Sequence, residues 1–457
     1  MKELTLKQIA DWCGGTVAPE YETVPVTGVE SDSRKVEVGD LFVALRGERV
    51  DGHDFIPSAK TLGASAALVS RPSEELPCVV VESPLRAYGE IAKHYREMTG
   101  VKVVGITGSV GKTTTKEMIA GVLSRDFKLY KSEGNHNNDI GLPMTVMDMP
   151  EDTELLVAEM GTNHPGEIAY LSAIAQPDYA VITNIGIAHI EYLGSREGIL
   201  REKLDILRSS LKNTVGIFNG DEPLLWNVRD KGTHKKYYFG IDNPSCDVVA
   251  SGIQELDDGM RFHVSGFHHE FELFVPALGR HMVYNALAAA TVGLAMGVKP
   301  ETIQNELSIF RNTGMRQKIY EKNGMTIIED CYNAGPESTE AALGVLASVK
   351  TSGKRIAVLG DMLELGNRSS AEHYRIGRIA AQKADLLLTY GAHSVRTVTG
   401  AITGGMSPKN AEHFDTHEDL VRMLKMRAGE ADVILFKGSR GMKMERVLQM
   451  FLDDHEA

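Results

Sequence analysis

Gly105-Ile-Thr-Gly-Ser-Val-Gly-Lys-Thr-Thr114 is the stretch whose residue types and spacing point most directly to chemistry. An apolar run at 101–107 precedes it and a helix-compatible run at 112–124 follows, which is the strand–loop–helix setting of a phosphate-binding loop. Glycines let the backbone turn so that its N–H groups face a phosphate, and the helix N-terminus adds a positive partial charge. Lys112 is spaced to reach the β- and γ-phosphates and Thr113 to ligate Mg²⁺, while Thr107, Gly108, Ser109, Val110, Gly111 and Thr114 complete the cradle. Gly105 stands six residues before Gly111 rather than the usual five, but the core 107–113 is intact. The loop implies ATP or GTP. It is silent on what the phosphate is transferred to.

Other polar groups fall at the ends of apolar strands. Glu159 closes one at 155–160, ahead of Gly161-Thr-Asn163-His-Pro-Gly166, where a carboxylate can bind Mg²⁺ directly or through water, or merely cap a loop. His189 follows the next strand in Thr183-Asn-Ile-Gly-Ile-Ala-His189, as a second metal ligand or a structural histidine. Gly134-Asn135-His-Asn137-Asn138-Asp-Ile-Gly-Leu-Pro143 is dense in amides, which suit a turn and can also hold a substrate's polar groups. Lys203 lies in a mixed-charge, helix-like stretch at 196–211 and on composition is a solvated surface lysine. Asn285 sits in the first turns of an alanine-rich helix. Later in the chain come Gly314-Met-Arg316, Asp330-Cys-Tyr332-Asn333-Ala-Gly-Pro-Glu-Ser338, Gly360-Asp-Met-Leu-Glu-Leu-Gly366 and Lys437-Gly-Ser439-Arg440. Several polar loops on one edge of each of two sheets imply two faces enclosing a cleft, with nucleotide in one domain and substrate between them.

The elements that must position these groups read as an α/β chain of three units. Residues 1–98 mix short strands (64–70, 78–81) with a helix at 85–99 and form a small α/β domain. Residues 99–313 alternate strands and helices around the phosphate loop, a central parallel-sheet ATPase domain. Residues 314–457 repeat the pattern, with strands at 326–329, 355–359, 385–389 and 433–436, a Rossmann-like C-terminal domain. The length of 457 residues fits about three domains. Lys plus Arg number 49 against 62 Asp plus Glu, a net charge of −13, which disfavours nucleic acid and anionic membranes as general partners. Four widely spaced cysteines form no CxxC pair and fit a reducing compartment. The first ten residues lack a signal-peptide core and no apolar run spans a bilayer, so a soluble, cytoplasmic protein is expected.

The order Thr107–Thr113, Glu159, Thr-Asn-Ile…His189, Lys203, Asn285, Arg316 and Asp330 resembles the Mur ligases of peptidoglycan synthesis over nearly the whole chain. The motifs at 134–143, 330–334, 359–366 and 437–440 resemble the branch that adds a dipeptide rather than a single amino acid. The resemblance implies an ATP-dependent amide ligase, a monomer, that joins D-Ala-D-Ala to UDP-MurNAc-tripeptide. A related Mur-type or folylpolyglutamate-type ligase is the alternative, and a P-loop regulatory ATPase a more distant one. It makes Lys203 the lysine that CO₂ carbamylates, and Glu159, His189 and the carbamate ligands, with Thr113, for two Mg²⁺ ions. Asn285, Arg316 and Asp330 become ATP contacts, and Ser31, Asp32, Ser33 and Arg34 the stretch that meets the UDP part. Asn135, Asn137, Asn138, Asn163, Tyr332, Asn333, Ser439 and Arg440 complete the implied substrate contacts. One departure is Gly335, where the family pattern has asparagine.

Overall fold

The computed structural model describes residues 1–47, 49–208 and 213–453, and the counts below cover those residues. The small N-terminal unit holds a four-stranded parallel sheet, ordered Gly28–Glu30, Asp40–Val43, Ala66–Val69 and Cys78–Val80. Only the last two of these strands are among those expected. Gly28–Glu30 is too short to leave a run, whereas Asp40–Val43 is buried at all four positions and opens the apolar stretch 41–45, a strand the expectation lacked.

Helix α1 (Pro84–Thr99) leaves this unit. Ser83 caps it by accepting from the Arg86 N–H, Pro84 supplies a preset φ, and Gly100 ends it at φ 66°. Its buried residues Ala87, Tyr88, Ile91, Ala92 and Tyr95 recur at helical spacing and pack it against the central unit as well as its own. Near its end Arg96 donates to Gln176 O (3.0 Å) and pairs with Asp178 (3.3 Å), whose carboxylate also accepts from the Val103 N–H.

The central unit is a nine-stranded sheet. Its middle contains β1 (Lys102–Thr107), which leads into α2 (Lys112–Leu123); β2 (Leu155–Glu159) pairs with β1 on one side and β3 (Tyr179–Ile182) on the other, all parallel. The chain therefore reverses its direction of travel across the sheet at β1, and its phosphate loop opens into the crevice such a reversal creates. Helix α3 (Arg196–Arg208) covers one face; residues 209–211 of the expected helix lie outside the described residues. On the other face α4 (Arg280–Ala295) is buried almost all round, and its alanines let it lie close to α2. The far edge of this sheet, Val248–Glu255, Met260–Gly266 and His269–Val275, is antiparallel. Met260–Gly266 alternates buried and exposed residues, so no apolar run announces it.

The C-terminal unit is a six-stranded sheet in which β4 (Met325–Asp330) leads to α5 (Pro336–Ser348) and then β5 (Arg355–Gly360). The last strand, β6 (Val433–Lys437), inserts between β4 and β5 and is parallel to both. That insertion gathers the ends of β4, β5 and β6 at a second reversal point. Lys318–Lys322 adds antiparallel to β4, and Ala411–Phe414 closes the other edge. Among the described residues no helix is long and apolar enough to cross a membrane.

Candidate active site

The phosphate loop is held by its neighbour strand. Thr183 donates to Val110 O (2.6 Å), the Val110 N–H donates to Asn184 Oδ1 (3.0 Å), and the Gly186 N–H donates to Ser109 Oγ (2.9 Å). Two of its glycines are required by this packing. At Gly108 (φ 148°) a Cβ would lie 1.9 Å from Thr183 Oγ1, and at Gly111 (φ 86°) it would lie 2.7 Å from Asn285 Oδ1. Asn285, buried on α4, also accepts from Thr115 (3.2 Å), so it braces the loop from behind.

Lys112 donates to Gly108 O at 2.9 Å. Enclosure in the cleft pushes its amine below the ordinary lysine range, Glu159 opposes that, and Arg316 adds to it. Thr113 donates to Glu159 Oε2 at 2.6 Å and Asn137 donates to Oε1 at 2.8 Å. A hydroxyl and a carboxylate, both buried at the mouth of a phosphate loop, are the hard oxygen donors Mg²⁺ prefers. Among the described residues no three His, Cys, Asp or Glu side chains gather closely enough to hold an ion by themselves. A Mg²⁺ ion here would therefore share its coordination with nucleotide phosphates, as is usual for it.

These groups open into a cavity of about 920 Å³ that the central and C-terminal units line together, with Arg86 of α1 adding to the lining. Ser109 to Thr114, Asn137, Asn138, Glu159, Asn163, His189 and Asn285 line it from the first. Arg316, Asp330, Tyr332, Asn333, Ser439 and Arg440 line it from the second. The two units touch at His189 Nδ1, 2.5 Å from Glu364 Oε2, and at His281 Nε2, 3.0 Å from Gln317 Oε1. Arg316 lies over the Tyr332 ring at 3.9 Å.

Several expected contacts are engaged within the protein. Asp330 accepts from Lys437 at 2.6 Å, and the same amine donates to Asn333 O at 3.0 Å. The Ser439 hydroxyl donates to Ala334 O and accepts from the Leu363 N–H, tying together the loops after β4, β5 and β6. Asn138 Oδ1 accepts from the Gly141 N–H. Arg440 pairs with Glu445 at 2.9 Å while still lining the cavity. Gly335 also lines it, and a Cβ there would meet no atom within 4 Å.

Other expected residues do not line this cavity. Thr107 and Gly108 lie at the root of the loop. Asn135 is exposed, its carbonyl accepting from the Asn137 N–H. Ser31, Asp32, Ser33 and Arg34 follow the strand Gly28–Glu30, with Arg34 forked onto the Asp32 carboxylate at 2.8 and 2.7 Å. That fork holds the Asp32 carboxyl down at about 2. Lys203 is 2% exposed on the inner face of α3, has no ion-pair partner among the described residues, and has its amine pushed well below 10.5 by burial and by Lys112. The expectation from composition was a solvated surface lysine, and the amphipathic pattern of α3 hides the difference. His281 and Gln317 join the site with no sequence signal, whereas Glu337, Glu364 and Lys437 stand inside the motifs at 330–338, 360–366 and 437–440 without being singled out there.

The chain is similar to known proteins over all three of its units. Residues 25–107 match the family described as Mur ligase family, catalytic domain; 106–293 match Mur ligase middle domain; and 315–440 match Mur ligase, glutamate ligase domain. A protein of Bacillus subtilis (strain 168) named UDP-N-acetylmuramoyl-tripeptide–D-alanyl-D-alanine ligase is 41% identical over 99% of this chain and 99% of its own. The chain belongs to the Mur ligase family. Among solved Mur ligase structures, one of MurF from Acinetobacter baumannii superposes with a TM-score of 0.91 at 32% identity, covering 99% of both chains. That of MurF ligase from Thermotoga maritima in complex with ADP gives 0.83 at 31% identity, over 94% of this chain and 98% of that one. The three-unit α/β architecture is thus that of the Mur ligases.

Proposed function

We propose that this chain is the ATP-dependent ligase that joins D-alanyl-D-alanine to UDP-N-acetylmuramoyl-tripeptide, giving the pentapeptide product, ADP and phosphate in peptidoglycan synthesis. The observation that carries the reading is the shared cavity, in which a phosphate loop faces Arg316 and the β4–α5 loop of a second domain, in a chain alike end to end with a relative of that name. We place the UDP-substrate unit at 1–98, the ATP unit at 99–313 and the dipeptide unit at 314–457, in a cytoplasmic monomer.

The tripeptide's terminal carboxylate attacks the γ-phosphate of ATP, forming an acyl phosphate and ADP. The dipeptide amine then attacks the activated carbonyl; the C–N bond forms as the C–O bond to phosphate breaks, and the two protons shed by its ammonium leave on the phosphate. The first step brings two anions together and the second develops negative charge on the carbonyl oxygen and the departing phosphate, so Lys112 and Arg316 act chiefly by placing positive charge on the transferring phosphoryl group. Thr113 and Glu159 would hold one Mg²⁺; Glu159, His189 and a carbamate on Lys203 would hold a second. Such ions, when bound, neutralise phosphate charge and orient its oxygens. Burial and the nearby Lys112 pull the Lys203 amine well below the ordinary lysine range, which favours the unprotonated form that reacts with CO₂ and supports the carbamate. The contacts of His189 with Glu364 and His281 with Gln317 bring the two domains together over the cavity, which keeps water from the acyl phosphate.

The test is ADP release with each substrate omitted in turn, plus the mass of the product. Release that needs both UDP-MurNAc-tripeptide and D-Ala-D-Ala, with a pentapeptide mass, is expected. ADP release that is indifferent to the dipeptide would overturn the reading.

A further inference from the structure

Glu337, the second residue of α5, reaches across the domain boundary. Its Oε1 accepts from the Ile187 N–H at 2.9 Å. The approach depends on Gly186, where a Cβ would lie 2.7 Å from Oε1 and 2.8 Å from the carboxyl carbon. The Gly186 N–H in turn donates to Ser109 of the phosphate loop, so Glu337 is anchored one residue away from a group that grips that loop. Its other oxygen, Oε2, is enclosed and has no hydrogen-bond partner, and Glu337 has no ion-pair partner among the described residues. Of the neighbouring carboxylates, Glu159 has both oxygens held, by Thr113 and Asn137, while Asp330 pairs with Lys437 and Glu364 with His189. An enclosed, uncommitted carboxylate oxygen is unfavourable until a donor arrives, most of all a charged one.

We propose that Glu337 holds the amino group of the incoming dipeptide. A primary ammonium brings three donors and a positive charge to the cavity wall that Glu337 lines. Anchored there, it lies beside the phosphate loop where the acyl phosphate forms. This assignment rests on the acceptor being an amine, as under Proposed function, and it makes Glu337 a specificity-determining residue for the acceptor's free amino terminus.

The test combines binding and kinetics on the full-length enzyme. Wild type should bind D-Ala-D-Ala at least tenfold more tightly than N-acetyl-D-Ala-D-Ala. E337Q keeps an oxygen for the Ile187 N–H but loses the charge; its KM for D-Ala-D-Ala should rise tenfold or more, its KM for ATP and for the nucleotide-peptide should stay put, and its preference for the free amine should vanish. Equal binding of both dipeptides by wild type overturns the proposal without any variant. An E337Q enzyme like wild type, with only E337A impaired, overturns it too and makes Glu337 a docking hydrogen bond between domains. A wild type that makes no amide product sinks the parent reading, whereas normal wild-type turnover with an unaltered E337Q sinks this one alone.

Discussion

Thr113 and Glu159 meet hydroxyl to carboxylate at 2.6 Å, one at the start of α2 and the other at the end of β2, and Asn137 fixes the remaining carboxylate oxygen at 2.8 Å. The pair is the part of the proposed Mg²⁺ site that the chain supplies at the phosphate loop. Asn137 orients Glu159 without itself being a proposed ligand, and losses at such supporting positions cost about 10–100-fold in metal affinity or activity. Asn137→Ala is therefore expected to raise the Mg²⁺ concentration for half-maximal ADP release about 10-fold, with the KM for ATP little changed at saturating Mg²⁺. An unchanged Mg²⁺ titration would remove Asn137 from this role.

Lys112 is the fixed cation nearest the transferring phosphate in the proposed mechanism. Donors aimed at developing charge in an enclosed site are worth roughly 10²–10³-fold in rate, and Lys112 contributes a full charge rather than a dipole. Lys112→Ala is expected to abolish ligation to the limit of detection, a loss of at least about 10³-fold. Its partner Gly108 O is backbone, so the fold should remain and circular dichroism should match the parent. Appreciable turnover in this variant would sink the phosphate-loop assignment.

How much of this was legible beforehand depends on where the information is local. The loop at 107–113 is, because glycine, lysine and threonine at fixed offsets must follow a strand and open a helix, as they do between β1 and α2. Parallel strands buried on both faces, such as Leu155–Glu159, are apolar up to the polar residue that ends them and so are equally plain. The hairpin strands at Met260–Gly266 and His269–Val275 alternate instead, and Gly28–Glu30 is three residues long; neither leaves a run to find. Lys203 shows the harder limit. Its neighbours on α3 carry both charge signs, and only the packing of that helix on the sheet decides that this lysine points inward. Here the family resemblance supplied what periodicity could not. Glu337 is similar: its partner is a backbone N–H 150 residues earlier, which no local pattern encodes.

Lys203 gives a stability prediction whose sign can be worked out. Its amine titrates well below 10.5 in the folded protein and near 10.5 in the unfolded chain. Across the window between those values the unfolded chain holds a proton that the folded one lacks, so stability rises with pH there. Lys203→Met removes the buried amine. In CO₂-free buffer it is expected to be more stable than the parent at pH 7, with the gap in Tm narrowing as pH approaches 10.5. The same position tests the carbamate: Lys203→Ala should be inactive and partly restored by a short carboxylic acid. Normal activity without added acid would contradict that role, and parallel Tm profiles would contradict the lowered titration of the buried amine.

Asp330 and Lys437 form an ion pair whose loss has different consequences if it serves structure than if Asp330 serves the nucleotide. The Lys437 side chain is 2% exposed and Asp330 17%, and they sit at the paired ends of β4 and β6. Removing one member of a buried ion pair leaves the other charge stranded, at a cost of about 3–5 kcal/mol. Asn333 O still accepts from the lysine, so Asp330→Ala should fall at the lower end, about 3 kcal/mol, seen as an earlier urea midpoint of the transition that unfolds the C-terminal domain. Adding Lys437→Met to that variant should recover most of the loss, because an apolar pair of similar volume replaces an ion pair at little or no cost. If Asp330→Ala instead leaves the midpoint unchanged and raises the KM for ATP, the carboxylate serves the nucleotide and its bond to Lys437 is incidental.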